Sequence, residues 1–162
     1  MLQDGERVSA SRIRVLLQAG DFEGVARLLG RPYAIGGRVV RGKQLGRQLG
    51  YPTANIRLAG KRAPLGGIFA VWVHGIGPEA RAGVASLGTR PTVQGVEPLL
   101  EAHVFDFAGD LYGRRIEVEF VAKLRDEEKF DDLPALVRQM DRDAEQARRM
   151  LRHDREERGV TA

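Results

Sequence analysis

Between Tyr33 and Leu124 no stretch of the chain has helical period, and glycine or proline interrupts it at short intervals. Within this region IFAVWVHG alternates strictly. Ile68, Ala70, Trp72 and His74 project to one side, and Phe69, Val71 and Val73 to the other. Residues 35–40 end in a β-branched pair, and residues 51–58 form a mixed run with Pro52 near its start. GVASLG, EAHVFDF and RIEVEFVAKL follow, separated by turns. Five or six short strands in succession leave no helices to cross over a parallel sheet, which excludes a doubly wound fold. The expected class is mostly β, an antiparallel barrel or sandwich.

Helices flank this region. Ser11 stands where it can cap a segment with Ile13, Leu16 and Leu17 on one face, and Gly20 stops it. Asp21 begins a second short helix through Val25, Leu28 and Leu29 to Gly30. At the other end Leu133, Leu136, Val137, Met140, Ala144, Ala147 and Leu151 recur three and four residues apart. Asp131 or Asp132 is available as N-cap, with Pro134 in the first turn. This stripe is expected to pack on the barrel. The charged residues beyond His153 are expected to fray.

The chain has 162 residues, 43% of them hydrophobic, enough for one domain with a short appendage. It contains no cysteine, which removes disulfide scaffolds, thiolate zinc sites and cysteine nucleophiles together. His74, His103 and His153 lack metal-ligand spacing. No apolar run approaches the ~18 residues of a membrane span, and MLQDGERVSASRIR lacks the apolar stretch of a signal peptide. The expectation is a cytoplasmic protein without a membrane partner. Residues 1–62 carry 12 Lys/Arg against 4 Asp/Glu, whereas the remainder carries 14 against 18. Such a basic front half attracts polyanions, either nucleic acid or the phosphates of a nucleotide.

GRVVRGKQLGRQLGYPTANI concentrates the chemistry. Gly42, Gly46 and Gly50 permit close backbone approach to a ligand, and Arg41, Lys43 and Arg47 supply charge. No GKS or GKT follows, so this is not a Walker A loop. Thr53 and Asn55 are two residues apart at the start of an expected strand and therefore share a face. Two neutral oxygens beside a phosphate loop can complete the shell of a Mg²⁺ whose charge is neutralised mainly by phosphates.

GRVVRG, the loop and PTAN, followed in order by GIFAVWV, GVASLGTRPT, EAHVFDF, DLYG and LRDEEKF, resemble the riboflavin kinase module of bacterial bifunctional riboflavin kinase/FAD synthetases. The resemblance runs from about Leu29 to Leu151. It implies a six-stranded antiparallel Greek-key barrel with a C-terminal helix and a short helical N-terminal extension. It also implies phosphorylation of riboflavin by ATP and Mg²⁺ to give FMN and ADP. Glu101 matches the family's catalytic carboxylate, and Thr53 and Asn55 its contacts to Mg²⁺ and ATP. Gly42, Arg47, Val104 and Tyr112 fall on the nucleotide side. Arg125, Glu128 and Phe130 fall in a segment that forms a flap over the flavin. GTRPT, residues 88–92, resembles a loop near the active site.

RVSASRIRVLLQAG is similar to the last stretch of the adenylyltransferase module that precedes the kinase in full-length relatives. The His-x-Gly-His signature of that module is absent, so FAD synthesis is not expected of this sequence. Three segments are expected: residues 1–29 as a helical linker, 30–153 as kinase barrel plus helix, and 154–162 as a charged tail. Leu45 and Phe69 depart from the family pattern, since many relatives are polar at the first place and often carry tyrosine at the second. The alternative reading is a small basic β-barrel binding single-stranded nucleic acid. Against it stand only ten aromatic residues, with no interleaved aromatic and basic platform.

Overall fold

The computed structural model describes residues 2–3, 6–7, 10–41, 50–58, 65–93 and 95–159. A minimal hairpin, β1 (Leu2–Gln3) with β2 (Glu6–Arg7), comes first. Helices α1 (Ala10–Ala19) and α2 (Phe22–Leu29) follow. The Asp21 carboxylate caps α2 by accepting the Gly24 N–H at 2.9 Å. Gly30 ends it in the left-handed region at φ 77°, where a side chain would clash with its own carbonyl.

Six strands then close a barrel: β3 (Ala34–Val40), β4 (Ala54–Ile56), β5 (Gly67–His74), β6 (Arg81–Thr92), β7 (Gly95–Val104) and β8 (Arg115–Arg125). Their order around the barrel is β3-β4-β7-β6-β5-β8, and every neighbouring pair is antiparallel. β4 and β5 are consecutive in the chain, yet β7 and β6 stand between them, which is the Greek-key crossing.

Side-chain alternation sorts the strands into two packed layers. Phe69, Val71 and Val73 point inward and join Leu87, Leu100, Val118 and Phe120 in the barrel core. Leu17, Phe22 and Val25 belong to the same cluster, so α1 and α2 plug one end of the barrel. The Phe22 ring lies 5.7 Å from Phe69 and 5.7 Å from Phe120. Phe69 is completely buried among these rings, where a tyrosine hydroxyl would need a polar partner.

The outer residues Ala70 and Trp72 pack with Phe105 against Ala147 and Leu151 of α3 (Leu133–Glu157). Asp132 is the N-cap and accepts the Ala135 N–H at 2.7 Å. Only the C-terminal half of the apolar stripe packs on the barrel. Leu133 is 52% exposed, and Leu136 and Met140 line a cavity.

The helix does not fray at His153 but continues to Glu157, which corrects the expected fraying beyond His153. Asp154 accepts the Trp72 indole N–H at 2.8 Å. Arg158 donates to Glu119 Oε2 at 2.6 Å and pairs with Asp154 at 2.9 Å. Glu119 is buried on β8 and also contacts His74 Nε2 at 2.9 Å. A buried carboxylate requires a cation nearby, and the end of α3 delivers one. Arg158→Ala should therefore destabilise the fold by about 1–3 kcal/mol, measured by equilibrium urea unfolding; an unchanged midpoint would show that Glu119 needs no such partner.

Candidate active site

The three residues of β4 lie against β7 with Ala54 opposite Ala102, Asn55 opposite Glu101 and Ile56 opposite Leu100. On its other side β7 places Glu101 opposite Ser86 of β6. Ala54, Ile56, Ala85, Leu87, Leu100 and Ala102 all enter the core, so the alternating residues Asn55, Glu101 and Ser86 share the opposite face. Gly50, at φ +86°, turns the chain just before Tyr51 and Pro52.

Two cavities flank this row. One, of ≈ 560 Å³, is lined by Arg41, Thr53, Asn55, Val104 and Tyr112 among others. The second, of ≈ 700 Å³, is lined by Thr53, Glu101, Arg125, Glu128, Phe130 and Met140 among others. Among the described residues Thr53 alone lines both. The residues assigned by resemblance to the nucleotide and to the flavin thus fall on separate sides of Thr53. Gly42 and Arg47 lie outside the described residues.

A larger cavity, of ≈ 960 Å³, lies between the second half of α3 and the β5–β6 hairpin. None of the residues expected to carry chemistry lines it. Two of its arginines lie on aromatic rings, Arg155 at 4.8 Å over Trp72 and Arg148 at 4.2 Å over Phe105. The two smaller cavities are therefore the candidate site.

In the first cavity Asn55 is only 7% exposed. Tyr112 is 51% exposed, and the Arg41 guanidinium lies 4.2 Å above its ring. Among the described residues there is no group of three His, Cys, Asp or Glu suited to a metal ion. Thr53 and Asn55 instead offer uncharged oxygens, a donor set that fits Mg²⁺ bound largely through nucleotide phosphates and water.

On the other side Arg125 is committed to Asp143 of α3. Its Nε donates to Asp143 Oδ1 at 3.0 Å, and its Nη2 to Oδ2 at 2.8 Å. Gln139 donates to the same carboxylate at 2.9 Å, and the Arg125 guanidinium lies 5.7 Å from the Phe130 ring centroid. Asp143 was absent from the sequence expectations. The available signal was a carboxylate three residues after Met140 and four before Ala147, inside the apolar stripe. The following segment lies on β6: a Cβ on Gly88 would run into the Glu127 carboxylate, which also accepts the Ser86 hydroxyl at 3.4 Å. Gly88 opens the GTRPT segment, and a glycine there leaves room for the Glu127 carboxylate.

Two further residues join the site. His103, two positions after Glu101, lies in the second cavity with Tyr51. Its Nδ1 is 2.8 Å from the Pro52 carbonyl oxygen, and its ring meets that of Tyr51 edge-on at 5.1 Å. The Tyr51 hydroxyl donates to Asp141 of α3. Burial, the hydrogen bond and the Asp141 charge all oppose ionisation and push the Tyr51 phenol up to about 12.

The riboflavin kinase family profile, named Flavokinase, matches residues 29–151. The chain belongs to the riboflavin kinase family. It is 49% identical over 146 residues to a bifunctional riboflavin kinase/FMN adenylyltransferase of Pseudomonas fluorescens, covering 90% of this chain and 47% of that protein. The equivalent protein of Escherichia coli K12 is 44% identical over 146 residues, with coverage of 90% and 47%. The chain spans about half the length of the curated relatives it matches. A riboflavin kinase structure from Trypanosoma brucei superimposes with a TM-score of 0.56 at 26% identity, covering 75% of this chain and 80% of that one. A crystal structure described as a macrolide-efflux protein from Streptococcus pneumoniae gives 0.79 at 36% identity, covering 90% and 48%. Among the described residues no helix is long and apolar enough to cross a membrane. The nucleic-acid alternative finds no support among these relatives.

The Tyr51 phenol yields a direct prediction. Its ionisation is raised above the ordinary 10, so the stability it contributes is present below pH 10 and is lost as pH rises towards about 12. Phenolate absorbance should show a component titrating near 12 in the folded protein, and Tyr51→Phe should remove it. Persistence of that component in the variant would assign it elsewhere.

Proposed function

We propose that this chain transfers the γ-phosphoryl group of ATP to the 5′-hydroxyl of the riboflavin ribityl chain, giving FMN and ADP. The observation that carries the reading is the pair of cavities meeting at Thr53, one beside Asn55 and the other beside Glu101. A phosphoryl donor in the first and an alcohol in the second would meet at that residue. Phosphoryl transfer asks a protein chiefly for alignment and charge neutralisation, so a shared wall between two substrate sites is the expected architecture.

Val104 and Tyr112 would line the adenine side, while Gly42 and Arg47 would approach the phosphates. Thr53 and Asn55 would hold a Mg²⁺ through their neutral oxygens. Bound there with ATP, Mg²⁺ would offset phosphate charge. Glu101 would take the proton from the ribityl hydroxyl as its oxygen bonds to the γ-phosphorus and the bond to the ADP oxygen breaks. Phe130 would offer an apolar edge to the flavin ring. Arg125, tied to Asp143, would hold the start of the flap, and Glu128 would face the flavin from it. Residues 1–29 would serve as a linker from an N-terminal adenylyltransferase module, with residues 30–153 as the kinase. The expected setting is the cytoplasm.

Incubation with riboflavin, ATP and Mg²⁺ should give FMN without FAD, and EDTA should abolish the product. No FMN from folded protein would overturn the reading. Glu101→Gln should lower kcat by about 10²–10⁴-fold while leaving riboflavin binding near wild type. Turnover close to wild type in that variant would remove Glu101 as the base. Asn55→Ala should raise KM for Mg²⁺–ATP by about tenfold, with a smaller change in riboflavin affinity. Equal changes in both would argue against a role on the phosphate side.

A further inference from the structure

β7 presents two polar side chains in succession on one face, Glu101 and His103, and the phosphoryl transfer described above uses only the first. We propose that His103 is a positioning residue for this reaction: its Nδ1–H holds the Pro52 carbonyl and thereby fixes Thr53 beside Glu101. The inference rests on the kinase reading and concerns how the same site is kept in register.

The β4–β7 ladder extends only as far as the pairing of Ala54 with Ala102. Pro52 has no N–H to continue it. Beyond that point the His103 imidazole takes over and meets the Pro52 carbonyl at 2.8 Å. The acceptor is a carbonyl, so Nδ1 carries the hydrogen in both the neutral and the protonated ring.

The ring itself is held on two sides. Tyr51 meets it edge-on at 5.1 Å and is tied through its hydroxyl to Asp141 of α3. Phe105 meets it at 5.7 Å with the planes at 70°, beneath the Arg148 guanidinium of α3. Helix α3 thus fixes the imidazole, and the imidazole fixes Pro52. The next residue is Thr53, the wall shared by the two cavities. A displacement of 1 Å in aligned reactants can cost on the order of 10²-fold in rate.

The test compares His103→Asn, His103→Gln and His103→Leu. The asparagine amide nitrogen stands as many bonds from the backbone as Nδ1, whereas the glutamine nitrogen stands one bond further out. For His103→Gln and His103→Leu, kcat for FMN formation should fall about tenfold or more. Riboflavin affinity, read by flavin fluorescence without ATP, should stay within about twofold. His103→Asn should keep kcat within about threefold of wild type. Wild-type kcat in the Gln and Leu variants overturns the inference while leaving the kinase reading intact. An equal fall in all three, or a loss of riboflavin affinity matching the loss of kcat, also overturns it, because either marks general packing damage. If His103→Leu fails to fold by circular dichroism, the comparison of Asn with Gln decides. Absence of FMN from the wild-type protein overturns both this inference and the kinase reading.

Discussion

The pairing of three-residue β4 with β7 is the contact on which the rest of the site depends. It sets Asn55 opposite Glu101, and the next strand across sets Ser86 opposite the same glutamate. Antiparallel register admits no small error: a slip by one residue would turn Asn55 into the core and Ile56 out of it. The inward residues Ala54, Ile56, Leu100 and Ala102 make that slip costly, because each is buried in the barrel. Burial on one face thus fixes the chemistry on the other. The ladder stops at Ala54, and Thr53, the residue before it, lines both cavities.

The arginine-rich composition takes on a structural meaning once the pairs are seen. Arg125 meets Asp143, Arg148 meets Asp106 and Arg158 meets Glu119. Each of these pairs joins α3 or the residue beyond it to the strands and their turns. The helix is therefore attached by apolar contacts at Ala147 and Leu151 and by ion pairs along its length. Asp106 occupies a positive φ of 55°, a conformation that suits a short polar side chain, and its exposed carboxylate is held below the ordinary range mainly by its hydrogen bond to Arg148.

Much of the barrel was legible in the sequence because period-two alternation reports burial directly. The separation of Phe69, Val71 and Val73 from Ala70 and Trp72 follows from the order of residues alone, and the structure puts the first set in the core and the second under the helix. The motifs around Thr53, Asn55 and Glu101 fall on two cavities. What sequence spacing hid were pairs formed across the fold. Asp143 and Arg125 are 18 residues apart, and Tyr51 and Asp141 are 90 apart. A charged residue reads as solvated until its partner is known, and Arg158 lies in the stretch expected to fray. The same ambiguity made Leu136 and Met140 look like core when they line a cavity.

The 25-residue helix α3 carries Leu136 and Met140 near its start and Ala147 and Leu151 about two turns further on, along a single rod. A change that rotates or lifts the rod to improve its seat on the barrel also moves the cavity wall. Conversely, reshaping that wall would disturb the seat. The shape of the cavity and the stability of the fold are thereby coupled in this scaffold, and substitutions along α3 would have to be selected in combination, each half compensating for the other.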